Sequence, residues 1–177
     1  MGEPLKIPED KFILDATAGF RMMWFNKKHP HSLYVDNRVE CNPDELQDFR
    51  HLPYPDESFN LVVFDPPHKI MSDASAKGNV LLKNFGRLLP ETWSRDLEQG
   101  LSECYRVLTQ LGVLIFKWHE CDKTLIEIEQ YFPCKPLFGQ KTNTTKGRNK
   151  GKGGIRKPAN TYWLCFMKIP EKKENLT

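Results

Sequence analysis

Short apolar runs alternate with segments of helical spacing along the first half of the chain. Apolar runs at 11–16, 32–37 and 59–64 each end at or just before an acidic residue, which predicts three buried strands. Between the first two, residues 20–29 have apolar side chains at helical spacing and basic residues at the end, which predicts a helix. Residues 47–52 predict a further short strand.

The second half of the chain continues this alternation. Apolar side chains in residues 92–108 recur at spacings of three and four, which predicts an amphipathic helix. Residues 122–132 predict a second helix, which ends before Pro133. Further strand-like runs lie at 112–118, 135–141 and 161–168.

The alternation of strands and helices predicts the fold class. We expect one α/β domain over residues 1–177, with a mostly parallel central sheet, helices on both faces and a C-terminal β-hairpin. The segment at about 141–158 is predicted to be a basic flexible loop, and residues 170–177 are predicted to be a frayed tail.

Composition narrows the class of protein further. The chain has 177 residues, 39% of them hydrophobic, which suits a single domain, and no apolar run approaches the length of a membrane span. The five cysteines are widely scattered without a Cys-x-x-Cys pair, which argues against a disulfide framework and a structural zinc site. We therefore expect a cytoplasmic protein with no membrane partner and no bound metal.

Three predicted strands end at a carboxylate, namely Asp15, Asp36 and Asp65. In parallel sheets, ligands bind at the carboxyl ends of the strands. The turn after Asp15 has only one glycine, Gly19, and matches neither a dinucleotide fingerprint nor a phosphate loop. Asp36 follows about twenty residues later, where nucleoside-binding proteins place an acid for the ribose hydroxyls. This pattern favours a nucleoside ligand without phosphates, although either acid alone could be structural.

The sequence LVVFDPPH (61–68) joins the most strand-like run to an acid and two prolines. Neither Pro66 nor Pro67 has an N–H, so this stretch offers carbonyl oxygens and the Asp65 carboxylate as hydrogen-bond acceptors without a backbone donor. Such a site suits a substrate NH₂ group, and holding its protons would free the nitrogen lone pair to attack. A plain strand-terminating turn is the alternative, because Asp-Pro commonly opens turns.

A basic, glycine-rich segment precedes the last predicted strand. Because its seven cations exceed the net charge of +3, the rest of the chain is net negative. Localised positive charge attracts polyanions, so we predict that this segment binds nucleic acid; a solvated loop is the alternative. Its basic residues are Lys141, Lys146, Arg148, Lys150, Lys152, Arg156 and Lys157.

Together these motifs resemble the class I S-adenosylmethionine-dependent methyltransferases. The resemblance covers about residues 11–168 and rests on DATAGF, VDNR, DFRHLPYPDESFNLVVFDPPH, ECYRVL and GVLIFKW, in that order. Within this class the chain is similar to the amino-methyltransferases, whose signature is Asp/Asn/Ser-Pro-Pro-aromatic. The resemblance implies a Rossmann-like fold and S-adenosyl-L-methionine as cofactor.

The resemblance also implies roles for individual residues. Asp36 would hold the ribose hydroxyls and Asn37 would flank the adenine, while Asp48 would accept from the adenine amine and Phe49 would line that ring. The loop beneath the methionine part of the cofactor would be formed by Asp15, Ala16, Thr17, Ala18, Gly19 and Phe20. The catalytic site that receives the substrate amine would comprise Asp65, Pro66, Pro67 and His68, and Asp65 would also contact the cofactor.

Two positions depart from the family pattern. Thr17 and Phe20 crowd a cofactor loop that is more glycine-rich in the family, and His68 replaces the aromatic residue that stacks on a flipped base. We interpret His68 as a stacking residue, although imidazole could also bind or relay a proton.

The sequence thus predicts methyl transfer to an exocyclic amine, with adenine N6 in DNA or RNA the favoured acceptor. The alternatives are a protein glutamine-amide methyltransferase and a catalytically silent subunit that binds cofactor or nucleic acid. Because no separate recognition domain fits in the chain, specificity would come from the basic segment, from the 68–92 loop, or from a second copy or a specificity subunit.

Overall fold

The computed structural model describes residues 4–73, 86–143 and 160–170. Seven strands form one mixed, mostly parallel sheet in the order β3-β2-β1-β4-β5-β7-β6. Strand β7 runs antiparallel to both of its neighbours, and the other pairs are parallel. The strands are β1 Ile13–Asp15, β2 Ser32–Asp36, β3 Glu45–Leu46, β4 Phe59–Phe64, β5 Leu108–His119, β6 Phe138–Asn143 and β7 Asn160–Met167.

Two α-helices lie in the described residues: α1, Trp93–Arg106, and α2, Leu125–Ile128. Two short 3₁₀ helices, Val39–Cys41 and Glu129–Tyr131, complete the regular structure there. The architecture is therefore α/β-like, with an antiparallel pair β6–β7 at one edge. Neither described helix has the length and apolar character needed to cross a membrane.

The chain direction across the sheet reverses between β1 and β4. From β1 the chain proceeds outward through β2 and β3, whereas β4 begins on the other side of β1 and leads to β5. Asp15 of β1 is paired with Tyr34 and with Val63, so the carboxyl ends of the central strands lie side by side. In open α/β sheets this reversal point is where ligands bind.

The prediction of a helix over residues 20–29 is wrong, because this segment forms a series of turns. The amides of Arg21 and Trp24 donate to carbonyls three residues back, on Ala18 and Arg21. Arg21 has a φ of 55°, in the left-handed region that interrupts a helix. Residues outside the segment hold it in this conformation, since Trp24 Nε1 donates to Asp15 Oδ2 at 2.7 Å.

Two further predictions need correction. The third short strand lies at Glu45–Leu46, and residues 47–52 are irregular. The predicted helix over 122–132 is one α-helical turn, α2, followed by a 3₁₀ turn. Helix α2 begins with a capping box, in which Thr124 and Glu127 satisfy each other's backbone amides.

The core lies between the sheet and helix α1. Leu97, Leu101 and Cys104 form the buried side of α1, in agreement with the predicted amphipathic helix. Gly100 on the same side allows a close approach to the sheet: a Cβ built there would lie 2.6 Å from Phe49 Cδ2 and 2.7 Å from Phe64 Cζ. The glycine therefore sets the distance between α1 and the end of β4 that leads to Asp65.

We expect Gly100→Ala to lower the free energy of unfolding by up to about 2 kcal/mol, because overpacking a core costs about 1–3 kcal/mol. Higher helix propensity offsets only about 1 kcal/mol of this cost. Urea unfolding measures the change. Ser102→Ala, at an exposed position of the same helix, is the control and should shift stability by less than about 0.5 kcal/mol. A stabilised Gly100→Ala variant would contradict the close approach.

Candidate active site

The structure brings the three strand-end carboxylates to one edge of the sheet. The turn after β1 connects them, because Thr17 Oγ1 accepts from the Asp65 amide at 2.8 Å and the Gly19 amide donates to Asp36 Oδ2 at 2.8 Å. Asp15 and Asp36 are buried and Asp65 is half-buried. The expected meeting of these residues at the strand ends is confirmed, and it follows from the parallel pairing of β1 with β2 and β4.

Asp65 contacts His68, which the sequence interpretation placed in the same site, and Lys117, which it did not place there. Lys117 Nζ on β5 donates to Asp65 Oδ2 at 2.7 Å. His68 Nε2 lies 2.9 Å from Asp65 Oδ1, but its geometry falls short of a hydrogen bond. Asp65 Oδ1 and His68 Nδ1 are both buried and have no hydrogen-bond partner among the described residues. The site is therefore not free of donors: Lys117 is bonded to Oδ2, and His68 Nε2 lies beside Oδ1 without hydrogen-bond geometry.

Asp65 and Asp15 differ in their protonation. Burial raises the pKa of Asp65, but the contacts with His68 and Lys117 outweigh burial, so the pKa lies below its usual value. For Asp15, complete burial raises the pKa to about 7; the hydrogen bonds from Trp24 and the Thr17 amide only partly oppose this rise, and Asp65 and Asp36 add repulsion. Asp65 is thus an anion at neutral pH, and Asp15 is poised to hold a proton.

His68 is turned toward the protein. Its ring meets Trp118 edge to face at a centroid distance of 5.0 Å and an angle of 81°, and its side chain is 16% exposed. The centroid of His119 lies 6.2 Å away. A stacking role for His68 stays a prediction, and in this arrangement the ring must turn outward to reach a base.

Asp36 is fully occupied by protein donors. Its carboxylate accepts from the Gly19 amide, the Arg38 amide and Arg38 Nε and Nη2, at 2.8–3.1 Å. A carboxylate has about four lone-pair positions, so these contacts leave none for ribose hydroxyls. A nucleoside would have to displace part of the Arg38 guanidinium to reach Asp36. Asn37, which lies between Asp36 and Arg38 in the sequence, is exposed.

Asp48 repeats the same arrangement with Arg50. Its two oxygens accept from the Arg50 amide, Nε and Nη2. Burial raises the pKa of Asp48, but the hydrogen bonds from Arg50 outweigh it and the pKa is lowered. Phe49 is buried against Phe64, with ring centroids 5.3 Å apart, so it contributes to the core. Its expected contact with the cofactor ring stays a prediction.

The turn after β1 is otherwise mostly buried. Ala16 and Ala18 are buried, whereas Phe20 is 39% exposed. Gly19 has a φ of 50°, a conformation that side-chain-bearing residues rarely adopt. The glycine is thus required by the turn that directs its amide at Asp36.

Of the seven basic residues predicted to bind nucleic acid, the structure describes Lys141. It lies on the exposed strand β6, with Nζ 5.7 Å from the Tyr162 ring centroid. The other six lie outside the described residues: Lys146, Arg148, Lys150, Lys152, Arg156 and Lys157.

A cavity of about 370 Å³ lies between the segment after β3 and the first turns of α1. Arg50 lies between two acids, because its guanidinium contacts Asp48, which is not among the lining residues, and lies 3.2 Å from Asp96 Oδ2, which is. Asp96 is buried and also accepts from Thr92 Oγ1 at 2.7 Å. The cavity is lined by Arg50, His51, Arg95, Asp96 and Gln99.

Sequence reasoning missed Lys117, Trp24 and the two arginines that bind the candidate cofactor carboxylates. A lysine inside the apolar run GVLIFKW was the available signal for Lys117. Phe64 of β4 is paired with Phe116 of β5, so the next residues, Asp65 and Lys117, become neighbours. The recurrence of Asp-x-Arg at 36–38 and 48–50 was a second signal.

No group of His, Cys, Asp or Glu side chains in the described ranges is arranged to hold a metal ion. Comparisons with models of known protein families and with curated proteins found no match.

Proposed function

We propose that this chain is an S-adenosylmethionine-dependent methyltransferase that acts on an exocyclic amine, with adenine N6 in DNA or RNA the favoured acceptor. The observation that carries the proposal is the Asp65 carboxylate. It is held as an anion at the end of a central strand, its Oδ1 is buried without a hydrogen-bond partner among the described residues, and two prolines follow it. An amine N–H would take the place beside this oxygen that His68 Nε2 occupies at 2.9 Å without hydrogen-bond geometry.

The strand order supports the finer fold assignment. The order β3-β2-β1-β4-β5 is the one used by doubly wound nucleotide-binding sheets, which bind their ligand at the reversal beside β1. Asp15, Asp36 and Asp65 lie at that reversal. We therefore propose a Rossmann-like class I methyltransferase fold with helices on both faces of the sheet.

The residues at the reversal and the segment after β3 fit the cofactor after two local changes, one at Arg38 and one at Arg50. When bound, S-adenosyl-L-methionine supplies a methyl group on a positively charged sulfur. Asp15, once ionised, would suit this cation, because Asp36 and Asp65 already pair with Arg38 and Lys117, and the turn at 15–20 would hold the amino-acid part of the cofactor. Asp36 can accept the ribose hydroxyls after Arg38 releases at least one of its contacts, and Asp48 can accept the adenine amine after Arg50 does so.

Asp65 would act on the substrate by accepting one N–H at Oδ1. The backbone carbonyl of Pro66 would accept the second N–H, because neither proline supplies a competing amide donor. Holding both protons favours a tetrahedral nitrogen and directs its lone pair outward. Lys117 would keep Oδ2 occupied and Asp65 ionised, so that Oδ1 is the oxygen presented to the amine.

Arg38→Ala is expected to tighten cofactor binding by up to about fivefold, because the ribose hydroxyls would no longer compete with the guanidinium for Asp36. Isothermal titration with S-adenosyl-L-methionine measures the change. Arg87→Ala, which removes an arginine from its contact with exposed Asp73, is the control and should leave affinity unchanged. Weaker binding in Arg38→Ala would show that Arg38 itself contacts the cofactor.

Radiolabelled methyl transfer to a panel of DNA, transfer RNA, ribosomal RNA and protein tests the proposed function. We expect label in a nucleic acid, recovered as N6-methyladenine after digestion to nucleosides. Label in protein alone, recovered as methylglutamine, would replace the proposed acceptor by a side-chain amide. Absence of cofactor binding by calorimetry would overturn the methyltransferase proposal as a whole.

A further inference from the structure

The segment at 20–29, which we call the aromatic loop, displays large apolar side chains to solvent. Phe25 is fully exposed and Met22 is 68% exposed. They are three positions apart within one series of turns. Single exposed apolar residues are common on protein surfaces, so exposure alone assigns nothing. What distinguishes this loop is that its backbone is firmly held while these side chains remain uncovered.

Two residues of the loop anchor it to the protein. Arg21 donates to the Lys27 carbonyl at 2.9 Å, to the Asn42 carbonyl at 3.2 Å and to Asp44 Oδ1 at 2.8 Å. Its guanidinium also lies 4.0 Å from the Tyr34 ring centroid. The loop is thus tied across its own turn and to the segment before β3.

The opposite side of the loop is held from the sheet. Trp24 Nε1 donates to buried Asp15, and the Trp24 ring meets Tyr34 edge to face at 5.0 Å. Tyr34 in turn donates its hydroxyl to the Asn26 carbonyl at 3.2 Å. With both sides fixed, the loop cannot easily fold Phe25 back onto the core, so the side chain is presented at low entropic cost for binding.

The loop lies at the same edge of the sheet as the candidate active site. Trp24 contacts Asp15, and Asp15 is paired with Val63, two residues before Asp65. A polymer whose reacting base occupies the Asp65 site would therefore extend past this edge. Lys27 and Lys28 follow Phe25, are exposed, and have no ion-pair partner in the parts of the chain that the structure describes.

We propose that the aromatic loop binds a single-stranded segment of the nucleic acid substrate, with a base stacked on Phe25 and phosphates contacting Lys27 and Lys28. This inference rests on the proposed function for its choice of nucleic acid. Aromatic side chains beside lysines are the means by which proteins bind single strands with little sequence preference. Exposed Phe and Met are also common at protein–protein interfaces, but lysine is depleted there, and two adjacent lysines without an ion-pair partner among the described residues favour a polyanion.

Fluorescence anisotropy of the full chain with labelled single strands of about 12 nucleotides, DNA and RNA, tests the inference. We expect Phe25→Ala to weaken binding by roughly 5-fold to 100-fold. Phe25→Leu should weaken it almost as much, because leucine is apolar but cannot stack, whereas Phe25→Trp should preserve it. Ile126→Ala, at an exposed apolar position on α2, is the matched control and should bind as the wild type does.

Salt dependence tests the lysines separately. Each of Lys27→Gln and Lys28→Gln removes one proposed phosphate contact, so each should reduce the slope of log affinity against log salt by about 0.7 on a single strand. Wild-type affinity in Phe25→Ala, or in Phe25→Leu, would overturn stacking at this loop. Failure of the wild-type chain to bind either strand would also overturn the inference. A wild-type dimer that dissociates in sedimentation when Phe25 is replaced by Ala would overturn it too, and would identify a second copy of the chain as the occupant of the loop.

Failure of this inference can be told from failure of the proposed function. Strand binding that depends on Phe25, without methyl transfer to any acceptor, would support binding at the aromatic loop and contradict the proposed methyltransferase activity. Methyl transfer to a strand, with an affinity for that strand that Phe25→Ala does not change, would contradict only the proposed binding at the aromatic loop.

Discussion

Asp65→Ala is expected to lower the rate of methyl transfer by about 10²–10³-fold, the effect typical of removing one preorganised polar contact from a transition state. Asp65 Oδ1 has no hydrogen-bond partner among the described residues and is the proposed acceptor of the substrate N–H. Removing the carboxylate would remove that contact and slow the transfer. Cofactor affinity should change much less than the rate of transfer does. Single-turnover methyl transfer, with calorimetry on the same variant, separates the two effects.

Two further variants make the Asp65 test specific. Asp65→Asn retains one oxygen acceptor and should lose less activity than Asp65→Ala. Asp56→Ala removes an exposed carboxylate just before the opposite end of β4, where it contacts Arg106, and should keep the wild-type rate within about twofold. Because Asp65→Ala also leaves Lys117 without its acceptor, thermal unfolding must show that the variant is folded. An unchanged rate in folded Asp65→Ala would refute the amine-binding role.

Asp15→Asn is expected to remove a large pH dependence of stability. Burial raises the pKa of Asp15 from 3.8 to about 7 in the folded chain, so the folded state binds this proton more tightly than the unfolded state does. The contribution of Asp15 is therefore fully present below about pH 4 and is lost as the pH rises to about 7 and above. Over that window it amounts to about 4 kcal/mol.

Urea unfolding of the wild type and Asp15→Asn at pH 5 and pH 8 measures this contribution. From pH 5 to pH 8 the wild type should lose the stability contributed by Asp15, whereas the variant should not, because Asn has no proton to lose and can still accept from Trp24. The variant should therefore become more stable relative to the wild type as the pH rises. The difference between the two proteins isolates Asp15 from the opposite contribution of Asp65, whose pKa is lowered. Equal pH slopes in the two proteins would mean that Asp15 is ionised throughout.

We also expect the binding of the cofactor to depend on pH through the Asp15 carboxyl. A cation bound beside Asp15 favours its ionised form, so cofactor affinity should rise with pH up to about pH 7, where the carboxyl proton is lost. In Asp15→Asn that dependence should disappear, which links the stability measurement to the proposed cofactor site.

Local sequence features determined the strands and the positions of the acids. The run at 59–64 is β4, because a continuous apolar segment between a turn and two prolines has few alternatives to a buried strand. Asp15 and Asp36 end β1 and β2 as predicted, and Asp65 follows β4 directly. Parallel pairing then brings these ends together, so the sequence alone was sufficient to place three carboxylates at one edge.

Only the tertiary structure decided what those carboxylates contact. The register of β4 with β5 places Lys117 beside Asp65, 52 positions away in the chain, and no local pattern encodes that pairing. The segment at 20–29 has helical periodicity, yet Arg21 and Trp24 find partners at Asp44 and Asp15 that compete with helix formation. Periodicity reports which residues could share a face, whereas contacts between distant residues determine which conformation has the lower free energy.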